Sequence, residues 1–164
     1  ADAPHEYLAL MLAEECHALP LGCVREILRL PPVAEVPRAP RDVLGIIAVR
    51  GQITTLIDLR VRLSLPCAPL SPRARVLLVD AGDETLGLLC DRVLNVLRLR
   101  DDQIELSSSL GHQTSSYVHG IGRPKKKREG RLASSPRAQR EMEGTADLVI
   151  LLDPSTLLRR QSHG

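Results

Sequence analysis

The chain of 164 residues has no tryptophan, no phenylalanine and only two tyrosines, Tyr7 and Tyr117. Sugar-binding and base-stacking sites lean on aromatic faces, so both are poorly supplied here. Cysteine is sparse as well: Cys16, Cys23, Cys67 and Cys90 form no C-x-x-C pair. Each sits among apolar residues, which predicts reduced, mostly buried thiols acting as small hydrophobes. No apolar run reaches the roughly 18 residues that a membrane span needs. The first residues carry acids and no basic stretch ahead of an apolar one, so no secretory leader is expected. The catalytic signatures G-x-S-x-G, G-x-x-x-x-G-K-[ST], G-x-G-x-x-G and H-E-x-x-H are all missing. The histidines, His5, His17, His112, His119 and His163, show no metal-ligand spacing, and Cys16-His17 with Cys23 does not match a zinc site. These absences leave no catalytic residue, no metal and no cofactor to expect, and predict a protein that is not an enzyme.

What the chain does have is aliphatic: 43% of it is hydrophobic, nearly all Leu, Val, Ile and Ala. That is enough for a real interior, and branched side chains suit strands. Short apolar runs recur at 7–13, 44–50, 52–58, 75–80, 85–91, 93–99, 117–122 and 148–152, with a shorter one at 33–36. Gly, Pro and charge punctuate them. Gly51 separates two runs and predicts a tight hairpin, as does Gly82 within Ala81-Gly82-Asp83-Glu84. Val24, Ile27 and Leu28 have helical spacing, so 24–29 reads as a helical turn as well as a strand. Further helical turns are expected near 59–63 and 154–160, with Pro154 at the first helical position. Asp58 and Asp153 each end an apolar run in front of such a turn. An N-cap role explains both carboxylates without invoking acid–base catalysis. Residues 101–116 are polar and Ser-rich and read as loop. The pattern as a whole is all-β.

The net charge of +2 is unevenly spread. Residues 123–143 hold eight Lys and Arg, including the run Lys125-Lys126-Lys127-Arg128, against three Glu, so the rest of the chain is net acidic. This segment is expected to be a solvated, flexible insertion. An alternative function follows from it: a β-barrel that binds nucleic acid or an acidic partner through 123–143. No aromatic lies in the run, which weakens the nucleic-acid version.

Four stretches, in order, resemble the CheW family, the adaptors of bacterial chemosensory arrays. They are Ala18-Leu-Pro-Leu-Gly-Cys-Val-Arg-Glu-Ile-Leu28, Val36-Pro-Arg-Ala-Pro-Arg-Asp-Val-Leu-Gly45, Gly45-Ile-Ile-Ala-Val-Arg-Gly-Gln-Ile-Thr-Thr-Leu-Ile-Asp-Leu-Arg60, and a back half made of Gly87-Leu-Leu-Cys-Asp-Arg-Val-Leu-Asn-Val, Tyr117-Val-His-Gly120 and Leu148-Val-Ile-Leu-Leu-Asp153. The third resembles the family pattern G-[VI]-[IV]-N-L-R-G-x-[IV]-[VL]-P-[VI]-[IV]-D-L-R. The chain departs from it with Ala48 for Asn, Val49 for Leu and Thr55 for Pro, and it carries an insertion between Gly122 and Asp147.

The resemblance implies one domain over 6–160 made of two packed, SH3-like, five-stranded β-barrels. It implies a cytoplasmic adaptor at receptor arrays on the inner membrane. The partners implied are the signalling tip of a chemoreceptor, lying in a groove between the barrels, and the regulatory domain of a CheA-type histidine kinase, held at a barrel end. Matching positions place Val24, Glu26 and Arg50 at the receptor groove, with Gly45, Gly51 and Gly120 shaping it. For Gly45 and Gly120, close backbone packing is the simpler reading. Ile27 and Leu28 are expected in the core, and Val24→Asp is expected to break receptor coupling with the fold intact.

Overall fold

The computed structural model describes residues 3–109, 115–126 and 146–159. In chain order the described strands are β1 (His5–Leu12), β2 (Glu15–Pro20), β3 (Val24–Arg29), β4 (Val43–Val49), β5 (Gln52–Asp58), β6 (Arg75–Ala81), β7 (Glu84–Cys90), β8 (Arg92–Leu99), β9 (Ile104–Leu106), β10 (Val118–Gly122) and β11 (Val149–Leu152). Two one-turn helices, α1 (Leu59–Arg62) and α2 (Pro154–Leu157), follow β5 and β11. The strands form two sheets, of six strands in the order β8-β1-β2-β11-β10-β9 and of five in the order β3-β6-β7-β5-β4. The expectation of five strands in each half is corrected by the sixth, β9. Pairing is antiparallel except for β2 with β11 and β5 with β7.

The central parts of β1, β6 and β7 read as unbroken apolar runs because they are covered on both faces. In β1, Leu8, Leu10 and Leu12 point one way and Tyr7 and Ala9 the other. In β6, Leu77 and Val79 oppose Val76 and Leu78 in the same manner. The first set from each sheet meets in a shared core with Leu19, Ile57, Leu88 and Leu152. The second sets build one core per sheet: Tyr7, Ala18, Leu97 and Leu151 in the six-stranded one, and Ile47, Leu56, Val76 and Leu89 in the five-stranded one. Leu10, Leu19, Leu77 and Leu88 are wholly buried, each stabilising by roughly 1.5–3 kcal/mol relative to exposure.

Two-residue turns close three hairpins. Ala81 pairs with Glu84 around Gly82-Asp83, and Val49 pairs with Gln52 around Arg50-Gly51. Leu12 pairs with Glu15 around Ala13-Glu14. Arg50 and Gly51 both have positive φ, at 47° and 81°, as the turn that matches strand twist demands. Ala13 and Glu14 do the same without glycine, and for that reason the turn left no mark in the sequence pattern. Asp58 and Asp153 cap α1 and α2 as expected, accepting from the N–H groups of Arg60 and Ser155 at 3.0 Å each.

Several expectations are corrected. Residues 24–29 are a strand, not a helical turn: pairing to β6 overrides local spacing, and the turn lies one step earlier, at Leu21–Cys23. The run at 33–36 reduces to a single bridge between Ala34 and Ile46. The loop at 101–116 contains β9 and 3-10 turns at Asp101–Gln103 and Ser107–Ser109. Ile27 is 44% exposed, not core, and Cys67 is exposed.

Candidate functional site

Two of the three expected groove residues meet. β3 carries Glu26 and the β4–β5 turn carries Arg50, and their side chains form a two-armed ion pair. Arg50 Nη1 donates to Glu26 Oε1 at 2.9 Å, and Nη2 donates to Oε2. The planar guanidinium matches both carboxylate oxygens at once, which a lysine cannot do. The Arg50 hydrogen bond holds the Glu26 carboxyl below its usual range, and Glu26 raises Arg50 in return. The pair stands at the edge of a cavity of about 360 Å³ lined by Arg25, Val49, Thr54 and Leu78. Val49 and Leu78 belong to the interior of the five-stranded sheet, so the cavity is the mouth of that interior.

Val24 does not join them. Its Cα partner is Val79, whereas that of Glu26 is Leu78, so β3 holds one extra residue between the two. Such a bulge turns the strand and sends Val24 with Val79 toward the shared core. Glu26 follows Leu78 to the opposite face.

The three glycines are scattered. A Cβ on Gly45 would collide with the carbonyl oxygen of Ala34, and one on Gly120 would lie 2.5 Å from that of Glu105. Both allow close backbone approach. Gly120 lies in β10, in the other sheet from the Glu26–Arg50 pair. Gly51 has open space around it and serves the turn.

At the basic segment, Arg123 pairs with Glu105 and Lys125 with Asp147, each at 3.1 Å. The Lys126 carbonyl accepts from Arg100. Lys127, Arg128 and the rest of the segment up to 145 lie outside the described residues.

The inter-sheet groove is a second, separate feature. It is a cleft of about 650 Å³ bounded by Ile27 of β3, Arg75 of β6 with the preceding Arg73, and Arg92, Val93 and Leu94 of β8. β3 is therefore common to both features, giving Glu26 to the cavity and Ile27 to the cleft.

Sequence reasoning missed a buried ionic network at the junction of the sheets. Arg60, in α1, is bound by both carboxylate oxygens of Asp58, by Asp91 Oδ1 at 3.0 Å and by the Ala68 carbonyl at 2.7 Å. Asp91 Oδ2 in turn accepts from the Ala13 N–H at 2.8 Å, in the β1–β2 turn. Arg62 pairs with Asp42 at 2.7 Å, both nearly fully buried. The available signal was the alternation of charge and apolar residues through Asp58-Leu-Arg-Val-Arg62, where a charge at every second position brackets the buried Leu59 and the half-buried Val61.

Among the described residues, no three His, Cys, Asp or Glu are grouped to hold a metal. Burial pushes the Cys90 thiol up to about 12, which makes it a packed thiol at neutral pH. No helix described is long and apolar enough to cross a membrane.

Compared with known proteins, residues 6–162 match the model of the CheW-like domain family. The chain is 25% identical over 118 residues to the chemotaxis protein CheW of Helicobacter pylori, covering 72% of each. It is 30% identical over 120 residues to a probable chemotaxis protein CheW of Rhizobium etli, covering 71% of this chain and 76% of that one. In fold it resembles the crystal structure of the scaffolding protein TtCheW from Thermoanaerobacter tengcongensis, with a TM-score of 0.73 at 23% identity over 94% and 92% of the two chains.

Proposed function

Because the chain belongs to the CheW-like domain family, we propose that it works as a non-enzymatic adaptor, coupling chemoreceptors to a CheA-type histidine kinase in chemosensory signalling. Its work is binding, and its two sheets supply the surfaces. We assign residues 6–160 to one domain of two subdomains, with the five-stranded half inserted between β2 and β8 of the six-stranded half. The receptor tip meets the region around β3 and the β4–β5 turn, and the kinase regulatory domain takes a sheet end. The adaptor works in the cytoplasm beside the receptors' inner ends.

The observation that carries the site assignment is the Glu26–Arg50 pair. A fork this exposed contributes little to holding the fold. It does fix the β4–β5 turn against β3 and present a shaped, charged rim beside an apolar cavity, the arrangement that orients a helical partner. The described flanks of the basic segment spend charge on Glu105 and Asp147, which gives the nucleic-acid alternative no support.

The test is calorimetric binding to a purified receptor signalling-tip fragment and to the kinase regulatory domain. Wild type is expected to bind both. Arg50→Glu is expected to lose the receptor and keep the kinase. The reversed pair, Glu26→Arg with Arg50→Glu, recovers receptor binding if the fork only shapes the surface, and does not if Arg50 touches the receptor. Failure of wild type to bind either partner overturns the adaptor reading.

A further inference from the structure

The cavity at the mouth of the five-stranded sheet's interior holds a polar group that the protein leaves unused. Thr54 lines this cavity and is only 6% exposed, yet its hydroxyl has no hydrogen bond to any described residue. Among the described residues, the only buried side-chain oxygen or nitrogen sealed in protein without a partner is Asp42 Oδ1. The Thr54 hydroxyl is therefore not sealed, and the open space it meets is the cavity. Alternation along β5 puts Thr54 on the same face as Leu56, which is wholly buried in that sheet's own core. Thr54 thus takes an inward position, where the family pattern has Val or Leu. A buried hydroxyl without a partner is costly, and a valine of the same shape would avoid that cost. The hydroxyl is left for a bound molecule.

The rest of the lining has two zones. Val49 and Leu78 give an aliphatic wall, and Arg25, Glu26 and Arg50 a polar rim. The rim offers more donors than acceptors. Arg50 spends Nη1 and Nη2 on Glu26, and Arg25 reaches Thr85 Oγ1 and Asp80 through Nη1 alone. Each guanidinium carries five N–H groups, so Nε of both and Nη2 of Arg25 have no partner among the described residues. Two cations beside one carboxylate suit an anionic head.

We propose that this cavity binds a small aliphatic acid carrying a hydroxyl or oxo group away from its carboxylate. The carboxylate takes the free donors of Arg25 and Arg50, the chain lies along Val49 and Leu78, and the far oxygen meets Thr54. A neutral ligand would leave the rim donors idle, and a plain fatty acid would leave Thr54 idle. At about 360 Å³ the space is in the size range of small-molecule sites. The site lies within one sheet and shares no lining residue with the cleft between the sheets. It goes beyond the adaptor reading and does not depend on it.

The experiment uses the full chain, labelled at its Val and Leu methyl groups, and follows their NMR shifts as hydroxyhexanoate (hydroxyl at the end opposite the carboxylate) is added. Hexanoate, without the hydroxyl, and hexanediol, without the charge, are the controls. Hydroxyhexanoate is expected to shift Val49 and Leu78 and to bind roughly tenfold tighter than hexanoate, about 1.4 kcal/mol. In Thr54→Val the two acids are expected to bind alike, and without ligand the variant is expected to unfold at or above the wild-type temperature. Arg25→Gln is expected to weaken both acids and leave hexanediol unchanged. Unmoved Val49 and Leu78 methyls would assign the cavity to water alone and overturn the proposal. So would equal binding of the two acids to wild type, or a preference for the hydroxy acid that survives in Thr54→Val. The receptor and kinase titrations score the adaptor reading separately, since no arm of this experiment uses either partner.

Discussion

Arg62 Nη1 donates to the carbonyl oxygen of Leu157 at 2.6 Å, joining α1 to α2 across 95 positions of sequence. The same guanidinium holds Asp42 through Nε. One buried cation thus ties the end of the five-stranded sheet to the C-terminal turn of the six-stranded one.

Breaking this tie from one side leaves a buried charge alone. Arg62→Ala, which strands Asp42, is expected to cost about 3–5 kcal/mol in urea unfolding. The double variant Arg62→Met/Asp42→Leu is expected to recover most of that loss, since an apolar pair of similar volume avoids desolvating two ions. An unfolding midpoint for Arg62→Ala at the wild-type value would show that the ion pair is not a structural tie.

Val24 and Ile27 should behave oppositely to what their spacing suggests. Val24 packs against the shared core, so Val24→Asp is expected to cost about 1–3 kcal/mol of stability and to lose binding only through that. Ile27→Asp is expected to unfold at the wild-type midpoint while partner binding drops. Denaturation and binding curves on both variants separate the cases, and a stable, non-binding Val24→Asp would contradict the bulge.

Gly45 has no room for a side chain. Gly45→Ala must displace the backbone at Ala34 and is expected to destabilise by about 1–3 kcal/mol. Gly22→Ala, with open space around its Cβ, is the matched control and is expected to be nearly neutral.

His17 sets a pH dependence. Burial lowers its pKa from the usual 6.5, and the Glu15 carbonyl and carboxylate only partly offset that. The unfolded chain therefore takes up the proton more readily than the folded one. Stability from this group is complete above 6.5 and falls as the pH drops through that value toward the folded pKa. Chemical denaturation between pH 8 and 5 should show this decline, and His17→Gln should flatten it. An unchanged slope in the variant would assign the decline to other groups.

Much of this was legible in the sequence because the cause was local. Gly51 and Gly82 gave two hairpins, Asp58 and Asp153 gave two caps, and the aliphatic runs gave strands. Glu26 and Arg50 were named from the family pattern, and the fold brings them together. The failures share one physical origin, which is pairing between distant segments. The spacing of Val24, Ile27 and Leu28 fits a helix until β6 takes the strand. The bulge that parts Val24 from Glu26 exists only in register with Leu78 and Val79. Arg60 and Arg62 look like surface charges until Asp91, Asp42 and Leu157 arrive around them.

The order of strands in the six-stranded sheet bears on biosynthesis. β1 and β2 are synthesised before the other described strands, yet β2 receives its parallel neighbour β11 only after all of those have been made. The five-stranded sheet draws all its strands from the uninterrupted stretch 24–90. A nascent chain can therefore complete that half while the leading hairpin still waits with an uncovered edge. The half begun first is finished last, and until then its exposed strand is the place where a chaperone has something to hold.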